Sequence, residues 1–324
     1  MAGRSMPDLA DPDRVFELYA GGATVVLQAL HRSWPPLVEF CGQLADELGQ
    51  PTQCNAYVTP PGSRGFGAHH DTHDVFVLQV DGTKRWHVYE PVLTLPLRSQ
   101  PSAAYVRDGS LLAEGAEPVL STVLGPGDAL YLPRGYIHAA ETNEDRSIHL
   151  TVGVAAVTWH DVLADAVTLA AEQEEFRSAV PADLAAEVPG FLQAVAKWLE
   201  QLPPERVVEL VGTRRDRSLP MEPVHVLAQA DAVRRLTAST PVRARRGVRW
   251  SLREEGEEVV LALVDREIAM PAVVEPALRQ VLDGSAYAAA DLATSELDTA
   301  DVTVLLRRLL RERAVVPAPG RGSR

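Results

Sequence analysis

Between Gln53 and about Ala155 the chain is cut into short apolar, β-branched runs separated by turn signals, and no other feature restricts its fold as strongly. Cys54–Thr59 stops at Pro60-Pro61-Gly62. Val75–Val80 and Lys84–Tyr89 flank Asp81-Gly82, a pair that predicts a hairpin. Leu124-Gly125-Pro126-Gly127-Asp128 turns into Ala129–Leu132, and Ser147–Ala155 reads as one more strand. Strands this closely spaced leave no room for helical crossovers, so the stretch predicts a β-sandwich or barrel rather than a parallel βαβ sheet.

The flanks have a different texture. Residues 1–11 read as a polar leader. Asp11 or Asp13 caps a helix through Tyr19, Ala23–Leu30 is strand-like, and Pro35-Pro36 opens a helix to about Leu48 with Gly49 as its stop. After His160 the spacing predicts helices over Asp161–Arg177, Pro181–Gln201 and Pro204–Val211, then a linker at Thr213–Met221. In Pro241–Pro317, Arg249–Leu252 and Val259–Val264 pair across Glu254-Glu255-Gly256, with helices near Val273–Leu282 and Asp298–Glu312. Helices with a small β-ribbon resemble a winged helix. The tail from Pro317 reads as disordered.

Charge and composition exclude several classes. With 31 Lys+Arg against 44 Asp+Glu the net charge is −13, which argues against a nucleic-acid partner. The basic run Arg243, Arg245, Arg246 and Arg249 reads as a solvated segment within that acidic whole. No apolar run approaches the roughly 18 residues of a membrane span, and the start lacks the basic and apolar regions of a signal peptide. Two cysteines, Cys41 and Cys54, make no disulfide framework. These features together predict a reduced, cytoplasmic protein.

Metal chemistry is written into Gly67-Ala68-His69-His70-Asp71. In extended chain, residues i and i+2 point to the same side, so the His69 imidazole and Asp71 carboxylate converge. A third donor is expected from a later strand, and His138 lies 138 − 69 = 67 residues on, after Leu132-Pro133-Arg134-Gly135-Tyr136-Ile137. Two imidazoles and one carboxylate form a facial triad that leaves coordination positions open for a co-substrate and O₂, although spacing alone does not separate iron from zinc or manganese. His70 should point away from its neighbours, and His73 and His87 are strand-surface or cleft positions.

Four ordered words carry a family resemblance: Asn55-Ala56-Tyr57-Val58-Thr59-Pro60-Pro61; Gly65-Phe66-Gly67-Ala68-His69-His70-Asp71; Asp74 through Trp86; and Tyr131-Leu132-Pro133-Arg134-Gly135-Tyr136-Ile137-His138. The stretch Asn55–Gly153 resembles the JmjC-type cupin domain of ribosomal oxygenases, which are Fe(II)- and 2-oxoglutarate-dependent protein hydroxylases. The resemblance implies an α+β chain in four parts. A double-stranded β-helix occupies 1–157, a helical dimerisation region 158–222, a winged-helix-like domain 223–317 and a disordered tail 318–324. It further implies Fe(II) on His69, Asp71 and His138, 2-oxoglutarate held by Lys84 with Asn55 and Thr151, a protein or peptide substrate, and a homodimer. Lys84 is one of only two lysines among the 31 basic residues, which supports a retained role. Gly153 departs from the small polar residue expected there, so part of the co-substrate bonding is either lost or supplied by Thr151. The alternatives are a metal-dependent cupin acting on a small molecule or peptide natural product, and an inactive cupin binding module.

Overall fold

The computed structural model describes residues 11–106 and 110–318, in two compact units, Met1–Ala156 and Val157–Arg324. The predicted leader and tail fall mostly outside the described residues.

In the first unit, α1 (Pro12–Ala20) is capped by the Asp11 side chain, which accepts from Asp13 N–H at 3.0 Å. A short strand β1 (Val25–Leu27) precedes α2 (Pro35–Leu48), which starts on its proline pair and ends at Gly49, φ +62°. Seven further strands follow from the turn-rich region. They are β2 (Thr52–Thr59), β3 (Asp74–Asp81), β4 (Lys84–Tyr89), β5 (Leu120–Leu124), β6 (Ala129–Leu132), β7 (Ile137–Thr142) and β8 (Ser147–Val154), which with β1 form two antiparallel sheets. One sheet has the order β1-β2-β8-β3-β6 and the other β5-β4-β7.

Val75 and Val77 from the first sheet pack with Trp86 and Val88 from the second, joined by Leu124 and Leu132, so the two sheets share one interior. On the opposite face of the larger sheet, Cys41 of α2 packs on Cys54 and Val152, and Thr52 Oγ1 donates to Cys41 O at 2.8 Å. Both cysteines are free and buried.

The predicted hairpin at Asp81-Gly82 is overturned. β3 pairs with β8 and β6, whereas β4 pairs with β5 and β7. The turn is a corner that carries the chain from one sheet to the other. A register break between Gln79 and Asp81 bends the strand, and Gly82 adopts φ +62° where any Cβ would run into the Arg146 carbonyl oxygen. Gln79 Nε2 braces the corner by donating to Asp81 O, Gly82 O and Ser147 Oγ at 2.9–3.1 Å.

The second unit begins with α3 (Trp159–Leu169), closed by a Thr158/Asp161 capping box. The chain then forms α4 (Glu174–Arg177), α5 (Leu184–Gln201), α6 (Pro204–Ser218) and α7 (Val226–Arg235). α3 stops short of the predicted Arg177, and α6 runs through most of the predicted linker. Arg214 on α6 reaches Asp161 at 3.5 Å and pairs with the buried Asp165, which ties this last turn to α3.

Beyond α7, β9 (Val242–Ala244) is the centre of a small sheet. The ribbon of β10 (Trp250–Glu255) and β11 (Glu258–Leu263) gains a third strand, β12 (Arg266–Pro271). α8 (Glu275–Val281), β13 (Ala286–Tyr287), α9 (Ala289–Leu292), α10 (Thr299–Arg311) and β14 (Val315–Pro317) complete the unit, with β13 and β14 flanking β9. Its core runs from Leu236 to Val315 and is filled by Leu261, Leu278, Leu306 and Leu309, while α3–α6 supply nothing to it. Arg243 of the basic run is held bidentate by Glu222 at 2.6 and 2.8 Å, a structural pairing.

Candidate metal and carboxylate site

The interior of the first unit contains a cavity of about 250 Å³, whose lining includes His69, Asp71, His138, Lys84 and Thr151. His69 and His138 are fixed to each other by reciprocal backbone hydrogen bonds, His69 N to His138 O at 3.1 Å and His138 N to His69 O at 2.8 Å. Asp71 is tied in by its carbonyl, which accepts from Gly135 N–H at 3.0 Å. Gly135 sits at φ +94° where a Cβ would meet Leu93 O at 2.6 Å, so the turn that delivers β7 requires glycine.

One donor atom from each of His69, Asp71 and His138 lies within 4.8 Å of the others, and this is the metal-competent cluster found among the described residues. The tautomers fit a metal. His69 Nδ1 lies 2.8 Å from Gly67 O and His138 Nδ1 lies 3.1 Å from Tyr136 O. A carbonyl only accepts, so each Nδ1 carries the hydrogen and each Nε2 presents its lone pair. That is the arrangement that orients metal-bound histidine. Burial, followed by the neighbouring His69, lowers the His138 pKa to about 4, so its imidazole is neutral and able to ligate at ordinary pH.

At the other end of the cavity Lys84 is 2% exposed, and its Nζ donates to Thr59 Oγ1 at 3.0 Å, with Thr24 Oγ1 a further 3.1 Å on. No carboxylate pairs with it among the described residues. Burial lowers its pKa to about 8, so the ammonium form still prevails at neutral pH. A buried cation with only a hydroxyl for company is costly unless an anion joins it, and the cavity gives an anion room.

Thr151 lines this cavity, and Asn55 does not. Asn55 lies opposite Thr151 in the β2–β8 ladder, but its Oδ1 accepts from Ala29 N–H at 2.9 Å. Asn55 therefore buttresses the wall instead of forming it. His70 turns away, as predicted, to Gln100 O at 3.2 Å, and His87 bonds Ser121 Oγ at 3.1 Å outside the cavity.

Sequence reasoning gave Tyr57 and Thr59 no place in the site, whereas His149, expected from its alternation with Thr151 to face the interior and not to be a ligand, does line the cavity. His149 stacks on Tyr57 with centroids 4.9 Å apart and planes 4° apart, edge-on to Trp86 at 5.4 Å. Burial and then the Lys84 charge lower its pKa to about 3, so it is a neutral wall of the cavity. The signal was present: Asn55, Tyr57 and Thr59 alternate onto one face of β2, as His149 and Thr151 do on β8.

Residues 36–162 match the family model of the JmjC domain. The chain is 38% identical over 187 residues to Ribosomal oxygenase 1 of Rattus norvegicus, covering 55% of this chain and 30% of that protein. It is 36% identical over 142 residues to the bifunctional lysine-specific demethylase and histidyl-hydroxylase NO66 of Drosophila persimilis, covering 44% and 20%. It thus spans about a third or less of the length of these relatives. Among solved structures, it is similar in fold to the Escherichia coli ribosomal oxygenase YcfD, with TM-score 0.54 and 20% identity over 91% of this chain and 78% of that one. The same protein in complex with cobalt and 2-oxoglutarate gives TM-score 0.51 at 20% identity, over 90% and 77%.

Proposed function

Because this chain carries a JmjC domain over residues 36–162 and is ribosomal-oxygenase-like, we propose that it is an Fe(II)- and 2-oxoglutarate-dependent hydroxylase of a protein side chain. The observation that carries this reading is Lys84. A buried, carboxylate-free ammonium shares one cavity with a His₂Asp cluster, so a dicarboxylate can answer both.

His69 and His138, through Nε2, and Asp71, through its carboxylate, would hold the iron. Bound there, Fe(II) supplies oxygen activation at the expense of 2-oxoglutarate, which leaves as succinate and CO₂. The chain's own contributions are binding, orientation and exclusion of water. Gly67 and Tyr136 carbonyls fix the imidazole rings. Lys84, positioned by Thr59, takes the far carboxylate in a charge-assisted bond, and Thr151 adds a hydroxyl beside it. Tyr57, His149, Trp86, Val75 and Val77 wall off the rest.

The second unit fits a homodimer in the same reading, with 158–222 as the pairing region and 223–317 as a winged-helix-like module. α5 and α6 bury no residue, and Trp159, Leu163, Phe191, Leu192 and Val208 are all exposed. A second copy would cover them. No helix among the described residues is long and apolar enough to cross a membrane.

The test is turnover on peptides. With Fe(II), 2-oxoglutarate and O₂, the protein is offered a set of synthetic peptides tiling bacterial ribosomal proteins. At least one should gain the mass of a single oxygen atom, with succinate formed alongside. Absence of any oxidised peptide, with iron and 2-oxoglutarate bound, would overturn the protein-hydroxylase reading.

A further inference from the structure

Gly153 lies on the same face of β8 as the cavity-lining His149 and Thr151 by strand alternation, next beyond that lining, and pairs with Val75 on β3 and Gln53 on β2. Its missing side chain is not empty space. A Cβ at this position would collide with Cδ2 of His73, would lie 2.7 Å from His73 Nε2 and would lie 3.2 Å from Gln53 Cγ. The imidazole of His73 is therefore seated in the slot that glycine leaves.

The location of this slot matters. Lys84 pairs with Thr142 at one end of β7, and His138 pairs with Val88 at the other, so the two mark opposite ends of the cavity. Gly153 lies opposite Val75, at the start of β3, four residues after Asp71. The His73 ring thus stands at the metal end, on the side away from Lys84. A co-substrate stretched from Lys84 to the metal leaves this side for the group to be oxidised. His73 is half-buried, and its ring nitrogens hold no hydrogen bond among the described residues.

We propose that His73, seated on Gly153, is a specificity-determining residue that contacts the substrate side chain and aims it at the metal. The inference rests on the hydroxylase reading above. Any Cβ at 153 must push the ring out of its slot, so Gly153→Ala and His73→Ala should produce one phenotype by two routes.

The experiment uses the full chain and the tiled ribosomal peptide that wild type oxidises fastest, in two readouts. The first is binding of that peptide, fluorescein-labelled, to Zn(II)- and 2-oxoglutarate-loaded protein under argon. The second is succinate formed per oxidised peptide in the iron enzyme. Each single variant should weaken peptide binding or kcat/KM roughly 10- to 100-fold and raise succinate per product, while 2-oxoglutarate affinity stays at the wild-type value. Adding Gly153→Ala to His73→Ala should change nothing further, since the ring it displaces is gone. Unchanged peptide binding and coupling in both single variants would overturn the proposal. So would additive losses in the double variant, or loss of 2-oxoglutarate binding, because either assigns Gly153 a purely structural part. If wild type oxidises no peptide, the hydroxylase reading itself falls, and this proposal with it.

Discussion

At the scale of single residues, the site is a set of enforced protonation states. Two carbonyls hold the imidazoles of His69 and His138 with Nε2 free, and burial keeps His138 neutral. Metal content should therefore fall from about one ion per chain to a small fraction in a His69→Ala, His138→Ala double variant, measured by elemental analysis after dialysis. Full occupancy would refute the ligand set. His149 gives a pH prediction for the metal-free protein. Its pKa is lowered from 6.5 to about 3, so the unfolded chain takes up a proton that the folded chain refuses across that interval. Its contribution is fully present above pH 6.5 and drains away as pH falls toward 3, by about 3 kcal/mol at pH 4 from the shift alone. Urea unfolding from pH 7 to 4 should show this loss, and His149→Leu should flatten it.

The His69/Asp71 spacing was legible in sequence because strand alternation is local and needs no partner. Lys84 was singled out by its rarity and the resemblance, and the structure buries it in the lining of the cavity. The interior position of His149 was legible by the same alternation, but its stack on Tyr57 was not, because it joins two strands whose register the sequence does not print. Asn55 is instead engaged by a local donor, the Ala29 N–H, which reaches its Oδ1 from a backbone at φ +57°.

Among elements, the corner at Asp81-Gly82 is the part on which the site most depends, because it moves Lys84 out of the larger sheet and places it across the cavity. Its dipeptide is the same one that closes hairpins, and only the strand partners decide between the two outcomes. Gly82→Ala should cost at least about 2 kcal/mol, from positive φ together with the Arg146 carbonyl. The same change at Gly256, φ +64° but in open space, should cost only about 1 kcal/mol. Equal effects by chemical denaturation would show that the corner is not close-packed. Elsewhere the strand-rich stretch, α2 and α10 were readable from breakers and periodicity. α6 outran its predicted end because the Arg214 pairing with α3 is a tertiary contact. The strand β12 lacked a turn signal strong enough to announce it.

On the scale of the whole molecule, the two units differ in how they bury apolar surface. The first packs two sheets around one interior and the C-terminal part of the second builds its own core, but α3, α5 and α6 leave theirs open, with Trp159 84% exposed. Light scattering at micromolar concentration should report a dimer, and a Phe191→Glu, Leu192→Glu variant should report a monomer without loss of 2-oxoglutarate binding. A wild-type monomer would refute the pairing. A pH titration belongs to this scale too, since the acidic chain keeps one buried lysine for its anion. With the Lys84 pKa at about 8, the 2-oxoglutarate Kd should be flat below that pH and weaken about tenfold per unit above it.

The central claim is that one cavity holds iron on His69, Asp71 and His138 and a dicarboxylate on Lys84. Anaerobic titration of the Fe(II) protein with 2-oxoglutarate, followed by the visible charge-transfer band of the chelate, tests it directly. Wild type should develop the band with saturation. Lys84→Ala should bind iron normally but need about 150- to 5,000-fold more 2-oxoglutarate, the equivalent of roughly 3–5 kcal/mol for breaking one side of a buried pair. Lys84→Arg should also be impaired, since a planar fork does not replace a point ammonium. A wild-type protein that shows no band, or a Lys84→Ala variant that titrates like wild type, would contradict the account.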